Sequence, residues 1–223
     1  MRVESTLGRA TSKERQRTAD GSVKARSVLP DGRVIDVVTS PAGTTVVSTP
    51  EGVSITATTV PDARLGLQSP LVSTQVRLPS GKTATLNHTQ SVTLATPGDP
   101  LTLIRQTDTF VLNGRTSTIV YDATSRASTI TTPEGRIFRV RGDVVGRPIS
   151  FEKAGITPTT LTYVAGLLTQ HAQGARTQAY SYDNKRRLSV FTDALSRTAT
   201  FTYSADDRVI AHKFADGRTI GYG

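Results

Sequence analysis

From Tyr121 onward one short pattern returns at nearly fixed steps. Taking Tyr121, Gly142, Tyr163, Tyr182 and Tyr203 as first positions, the steps are 21, 21, 19 and 21 residues. A period in this range requires one supersecondary unit stacked on copies of itself, so a single globule built around one core is disfavoured. The residues between the repeated positions fix the kind of unit. Short runs rich in Thr, Val, Ile and aromatics are bounded by Gly, Asp and Pro, and no stretch of ten residues carries an apolar stripe at helical spacing. The unit is therefore a β-hairpin, and the fold class is all-β and antiparallel.

Each unit opens with an aromatic or an Asp, followed a few residues later by Gly-Arg or a stand-in. Tyr121-Asp122 leads to Arg126, and Asp143 leads to Gly146-Arg147. Tyr163 leads to Gly166, and Tyr182-Asp183 leads to Arg187-Leu188. Asp193 leads to Arg197, Tyr203 to Arg208, and Asp216-Gly217-Arg218 ends the series. This pattern resembles the YD repeat of the RHS family, roughly Tyr-Asp-x-x-Gly-Arg-Leu. The departures are Arg186, Ser196 and Asp207, which stand where that family usually has Gly. The match covers 121–223 most clearly.

The same turn chemistry reaches further back. Gly21, Gly32, Gly43 and Gly52 lie 11, 11 and 9 residues apart, and three of these turns read Pro-Asp-Gly, Pro-Ala-Gly and Pro-Glu-Gly. Strands of about five residues with turns every 8 to 12 form an antiparallel array. Residues 61–76 break the rhythm, because Pro61 and Pro70 cannot donate to a central ladder; a longer loop or irregular strand is expected there. Three segments follow: a polar basic stretch over 1–28, with Leu7-Gly8-Arg9 as a worn copy of the repeat; a divergent hairpin array over 29–120; and the repeats proper over 121–223. The last residues stop where another unit is due, which suggests a piece of something longer.

Charge points the same way. The chain of 223 residues has a net charge of +9, but ten arginines at the Gly-Arg place or its equivalent (Arg9, Arg33, Arg115, Arg126, Arg136, Arg147, Arg187, Arg197, Arg208 and Arg218) account for more than the whole excess. The positive charge is spread with the repeat. It is not gathered into a patch with interleaved aromatics, as single-strand nucleic-acid binders require. A planar guanidinium suits a structural position beside a carboxylate, and the repeat Asp residues are its natural partners.

Chemistry-bearing motifs are few. With no cysteine, disulfides and thiolate metal sites are excluded. His88, His171 and His212 lie in separate segments without metal-ligand spacing. There is no Gly-x-Ser-x-Gly elbow, phosphate-binding loop or dinucleotide fingerprint. Asp206-Asp207 reads as a turn, and Arg141-Gly142-Asp143 falls on repeat positions. Asp99-Pro100 shares letters with the cleavage segment of exported RHS proteins, but its context differs. The N-terminal stretch is basic but lacks the apolar run of a signal peptide.

The resemblance implies a β-sheet strip that spirals into a hollow shell. In bacterial relatives the shell encloses a C-terminal toxin; in animal relatives it forms an extracellular barrel. This chain is expected to supply a structural, non-enzymatic part of such a wall, without cofactor or metal. Its expected partners are the rest of the shell and an enclosed toxin domain, and its setting is secreted or cell-surface as part of a larger protein. The alternative is a cell-surface module that binds carbohydrate.

Overall fold

A computed structural model describes residues 2–4 and 10–222, with the side chains from residue 10 onward. Among these residues there is no helix. Twenty strands follow in order: β1 Arg2–Glu4, β2 Ala10–Arg17, β3 Val23–Val28, β4 Val34–Thr39, β5 Thr44–Ser48, β6 Ser54–Asp62, β7 Gly66–Arg77, β8 Thr83–Leu94, β9 Leu103–Leu112 and β10 Arg115–Asp122. They continue as β11 Ala127–Thr131, β12 Ile137–Gly142, β13 Pro148–Lys153, β14 Ile156–Val164, β15 Leu167–Gln173, β16 Arg176–Tyr182, β17 Leu188–Thr192, β18 Thr198–Tyr203, β19 Val209–Lys213 and β20 Thr219–Gly221. The chain divides into two compact units, Met1–Tyr121 with Thr131–Gly135, and Asp122–Ile130 with Arg136–Gly223.

In the first unit every strand from β1 to β9 pairs antiparallel with the next. Residues 10–28 supply β2 and β3 and belong to this ladder; Leu7-Gly8-Arg9 lies outside the described residues. The segment that breaks the turn rhythm is strand rather than loop. β6 and β7 pair as far as Val60↔Leu71, and the register then jumps to Asp62↔Gly66. The jump leaves Leu67 to Pro70 as a bulge, so neither Pro61 nor Pro70 is asked for a ladder hydrogen bond there. β7 pairs with β8 only from Thr74↔Leu86 to Arg77↔Thr83. Beyond that point the β6–β7 and β8–β9 hairpins are joined by side chains, with Arg64 Nε donating to Pro100 O at 2.5 Å and His88 N to Ser73 Oγ at 3.1 Å.

In the second unit the meander runs from β12 to β20 without a crossover. Alternation is visible along β18: Thr198, Thr200 and Thr202 are exposed, while Ala199, Phe201 and Tyr203 are half-buried. The face carrying Phe201 also carries His212, Phe191 and Tyr180, because these are register partners across successive strands.

No thick core forms. Among the described residues only Leu71 and Ala127 are buried hydrophobics, and no large side chain is fully buried. With 36% of residues hydrophobic and 5% aromatic, this composition covers a sheet surface sparsely. Order must come mostly from the ladders and from the corners that set their register.

Candidate structural site: the hairpin corner and its clasp

Ten corners among the described residues share one backbone geometry. If the first residue is i, its N–H donates to the carbonyl of i+4, and its carbonyl accepts the N–H of i+3. At the Asp183 corner both bonds are 2.9 Å (Asp183 N to Arg187 O, Arg186 N to Asp183 O), and at the Leu29 corner they are 2.8 and 2.9 Å. The same pair of bonds begins at Thr18, Ser40, Thr49, Leu78, Asp143, Asp193, Ser204 and Phe214. This is a type I turn closed by a residue in the left-handed region, the three-residue hairpin loop that matches strand twist. Position i+3 must therefore have positive φ, and it does in every case: Gly32 at 82°, Gly146 at 83° and Gly217 at 86° are examples. Where the repeat lacks Gly, the backbone keeps the same shape, with Arg186 at 67°, Ser196 at 61° and Asp207 at 63°.

The acid fills the turn. Asp183 Oδ1 accepts the N–H groups of Lys185 and Arg187, both at 2.9 Å, and Oδ2 accepts Arg187 Nε at 2.8 Å and Nη2 at 2.7 Å. Asp143 holds Val145, Arg147 and the Arg147 guanidinium in the same way, and Asp193 holds Leu195, Arg197 and the Arg197 guanidinium. Asp216 works from position i+2, receiving Arg218 N at 3.0 Å and Arg218 Nε at 2.6 Å. Asp31 holds Arg33 likewise. At the Ser204 corner Ser204 Oγ accepts Arg208 N at 3.2 Å.

These bonds favour the ionised carboxylates. The Arg187 backbone N–H holds Asp183 below the ordinary carboxylate range; partial burial opposes it, and the guanidinium adds to the lowering. For Asp193 the Arg197 side chain is the leading cause and its N–H follows. For Asp143 burial pushes upward, but the N–H and guanidinium of Arg147 and the N–H of Val145 outweigh it.

The arginine then reaches the next corner on the same side. Arg187 lies over the Tyr203 ring at 4.5 Å, and Arg147 over the Tyr163 ring at 4.7 Å. Both spans run 20 residues from Asp to Tyr: Asp183 to Tyr203, and Asp143 to Tyr163. Tyr203 Oη donates to Leu188 O, and Tyr182 Oη to Leu168 O, each at 2.7 Å. Arg187 Nη1 also meets Asp207 Oδ1 at 2.6 Å, and Arg186 Nη2 donates to Ala165 O at 2.9 Å. A Cβ on Gly166 would sit 3.5 Å from Arg186 and 3.6 Å from Arg147, ordinary contact distances, so what favours glycine here is its φ of 83°. Each of these tyrosines lies beside a register shift, between Ser181 and Tyr182, Thr202 and Tyr203, or Thr162 and Tyr163. The shift is a bulge that re-aims the strand end toward the corner.

Not every sequence-assigned position takes part. Arg126 has φ 51°, so it is itself a left-handed residue and does not hold the place of Arg147 or Arg187. Asp122 instead caps Ser125 through its N–H and Oγ, both at 2.8 Å, and buried Ala127 begins the strand. The turn is one residue longer than the letters suggest. Arg115 follows Asn113-Gly114 and pairs with Glu134.

A second polar cluster carries no repeat signature. Asp108 accepts His88 Nε2 and Gln90 Nε2 at 3.0 Å and Gln106 Nε2 at 2.8 Å, with His88 stacked on Phe110 at 4.2 Å. Asp62, buried at the end of β6, caps Arg64 and Leu65 at 2.7 and 2.6 Å, while Gln90 Oε1 accepts Ala63 N at 3.1 Å. The cluster stitches the two long hairpins together. Its only sequence signal is the alternation Gln106, Asp108, Phe110 opposite His88 and Gln90. Among the described residues no group of three His or acidic side chains converges as a metal site, and no helix is long and apolar enough to cross a membrane.

A family model described as Teneurin YD-shell matches residues 2–218. No curated protein matches the chain. Among solved structures, the TcdB2-TccC3-Cdc42 crystal structure is 16% identical with a TM-score of 0.39, covering 92% of this chain and 14% of that one. The Photorhabdus luminescens Tc holotoxin pore with a TccC3 mutation is 17% identical with a TM-score of 0.37, at 92% and 14% coverage. The TCP10 domain of Danio rerio CPAP in complex with a STIL peptide is 15% identical with a TM-score of 0.23, at 94% and 97% coverage. The chain thus spans about a seventh of the toxin chains to which it is similar.

Proposed function

We propose that this chain, which belongs to the Teneurin YD-shell family, is a non-catalytic wall segment whose task within a longer protein is to help enclose a C-terminal toxin or effector. The observation that carries the reading is the Asp-Arg-Tyr clasp. It occurs at Asp143-Arg147-Tyr163 and at Asp183-Arg187-Tyr203, each spanning 20 residues and tying one corner to the next on the same side of the sheet. The repeat carboxylates held below their ordinary range are spent on turn amides and on guanidinium groups. A catalytic carboxylate needs an open lone pair facing substrate, and the Asp143, Asp183 and Asp193 carboxylates are each filled by four donors.

A wall built this way suits a container. The sheet lacks a solid core, so one face is available to solvent and the other to contents. A secreted or cell-surface setting goes with this reading and belongs to the longer protein.

The test uses the full natural polypeptide carrying this segment. Limited proteolysis should leave the region after the repeats intact while the wall is sound. Replacing Arg147 and Arg187 together by Gln should expose it to cleavage. Equal protection in both proteins, or cleavage in the unaltered one, would remove the enclosure reading.

A further inference from the structure

The apolar face of the second unit holds a groove of about 480 Å³ between the Asp193 and Asp216 corners. That volume suits a small molecule. Its walls are Phe191, Phe201 and Phe214, and its floor is Ala199, the register partner of Phe191. A small residue opposite a large one leaves a notch that neighbouring side chains do not fill. His212 completes one wall, stacked on Phe201 at 4.8 Å and tilted against Phe214 at 4.1 Å.

The rim is cationic at its outer surface. Arg197 and Arg218 line the two ends, and their side chains are 66% and 79% exposed. The carboxylate of Asp193 lies deeper, at 21%, while Asp216 is itself exposed, at 51%. Asp193 already receives two backbone N–H groups and the inner edge of its guanidinium. Arg197 is held through Nε and Nη2 and Arg218 through Nε, which leaves Nη1 of each guanidinium unengaged by its Asp. Arg218 is further oriented by lying over Phe214 at 5.6 Å. At the Asp193 end an incoming anion meets guanidinium before it meets carboxylate, and the unengaged edge of each guanidinium has the geometry that suits a carboxylate group.

We propose that this groove binds a small amphipathic acid, with a planar apolar body in the Ala199 notch and a carboxylate on Arg197 or Arg218. The occupant follows from the charge order at the rim and from the three phenyl walls.

The experiment is an NMR titration of the isotope-labelled 223-residue chain with 2-naphthoate, using 2-naphthamide as the uncharged control. Naphthoate should shift resonances of Ala199, Phe201 and Arg218 saturably, and the amide should bind at least tenfold more weakly. Arg197→Gln with Arg218→Gln should cost tenfold or more in affinity. Ala199→Leu, which fills the notch and leaves both arginines, should abolish the shifts while the strand resonances stay in place. Equal binding of acid and amide, undiminished affinity in the double Arg variant, or shifts surviving Ala199→Leu would each overturn the assignment, as would the absence of saturable shifts.

Discussion

The corner geometry makes a graded prediction about glycine. Gly217 and Gly43 both occupy position i+3, at φ 86° and 82°. An added Cβ at Gly217 meets nothing within 4 Å, whereas at Gly43 it lands 2.9 Å from Thr59 O. That carbonyl belongs to a backbone tied back to Gly43, since Thr59 N donates to Gly43 O at 2.9 Å. Gly217→Ala therefore has only the left-handed backbone to oppose it, about 1–2 kcal/mol. Removing the chain entropy of Gly returns roughly 0.5–1 kcal/mol, for a net loss of about 0.5–1 kcal/mol. Gly43→Ala adds overpacking against a fixed carbonyl, about 1–3 kcal/mol more. Ser196→Gly is the reverse experiment. Ser196 sits exposed at φ 61°, so relieving it should stabilise its corner by about 0.5–1 kcal/mol. The assay is amide hydrogen exchange read hairpin by hairpin, because local opening energies are resolved there without assuming one global transition. The expected order is Gly43→Ala weakest, then Gly217→Ala, then the unaltered chain, then Ser196→Gly at its own corner. Equal losses at Gly43 and Gly217, or a looser corner with Ser196→Gly, would refute the reasoning.

Three further outcomes follow from named contacts. Tyr203→Phe keeps the ring under Arg187 but removes the bond to Leu188 O, so the β17–β18 hairpin should lose about 1 kcal/mol, and Tyr203→Ala more. His212 Nε2 is buried without a hydrogen-bond partner, so His212→Phe should raise stability by about 1 kcal/mol in urea unfolding, whereas His212→Ala should lower it. The Asp62–Asp108 cluster should be acid-labile. Burial raises both carboxyl groups, but the N–H groups of Leu65 and Arg64, with Gln90, hold Asp62 low, and Gln106, Gln90 and His88 hold Asp108 low. A folded value below the unfolded one contributes stability in full above the unfolded range and loses it as pH falls through the folded value. Protection of β8 and β9 should therefore begin to fall as pH drops into the ordinary carboxylate range and go on falling below it, and Asp108→Asn should flatten that dependence.

Much of this was legible in the letters. Turn chemistry is local, so Gly at 11-residue steps and the Asp-to-Arg spacing announce antiparallel hairpins before any coordinates exist. Even Arg186, Ser196 and Asp207 could be placed as Gly substitutes, because a hairpin loop demands one backbone shape whatever residue fills it. The letters misled at Arg126, where one extra loop residue puts the arginine itself in the left-handed place and only backbone geometry reveals it. The 61–76 segment was harder still. Its prolines are tolerated in a bulge, and a bulge depends on which partner residue is skipped. The His88–Asp108 pair and the Phe191–Phe201–Phe214 groove were hidden for a related reason: they arise from register between strands. One sequence supplies each strand's alternation but leaves the pairing offset to the whole ladder.

The central claim is that neighbouring corners are joined by the Asp-Arg-Tyr clasp and that stability is carried unit by unit. Residue-resolved hydrogen exchange on Asp183→Asn tests it most directly. Protection should drop at residues 183–187 and, 20 residues on, at 203–208, while the corners at Leu29, Thr49 and Leu78 hold. Uniform loss along the chain, or loss at 183–187 with none at 203–208, would contradict it.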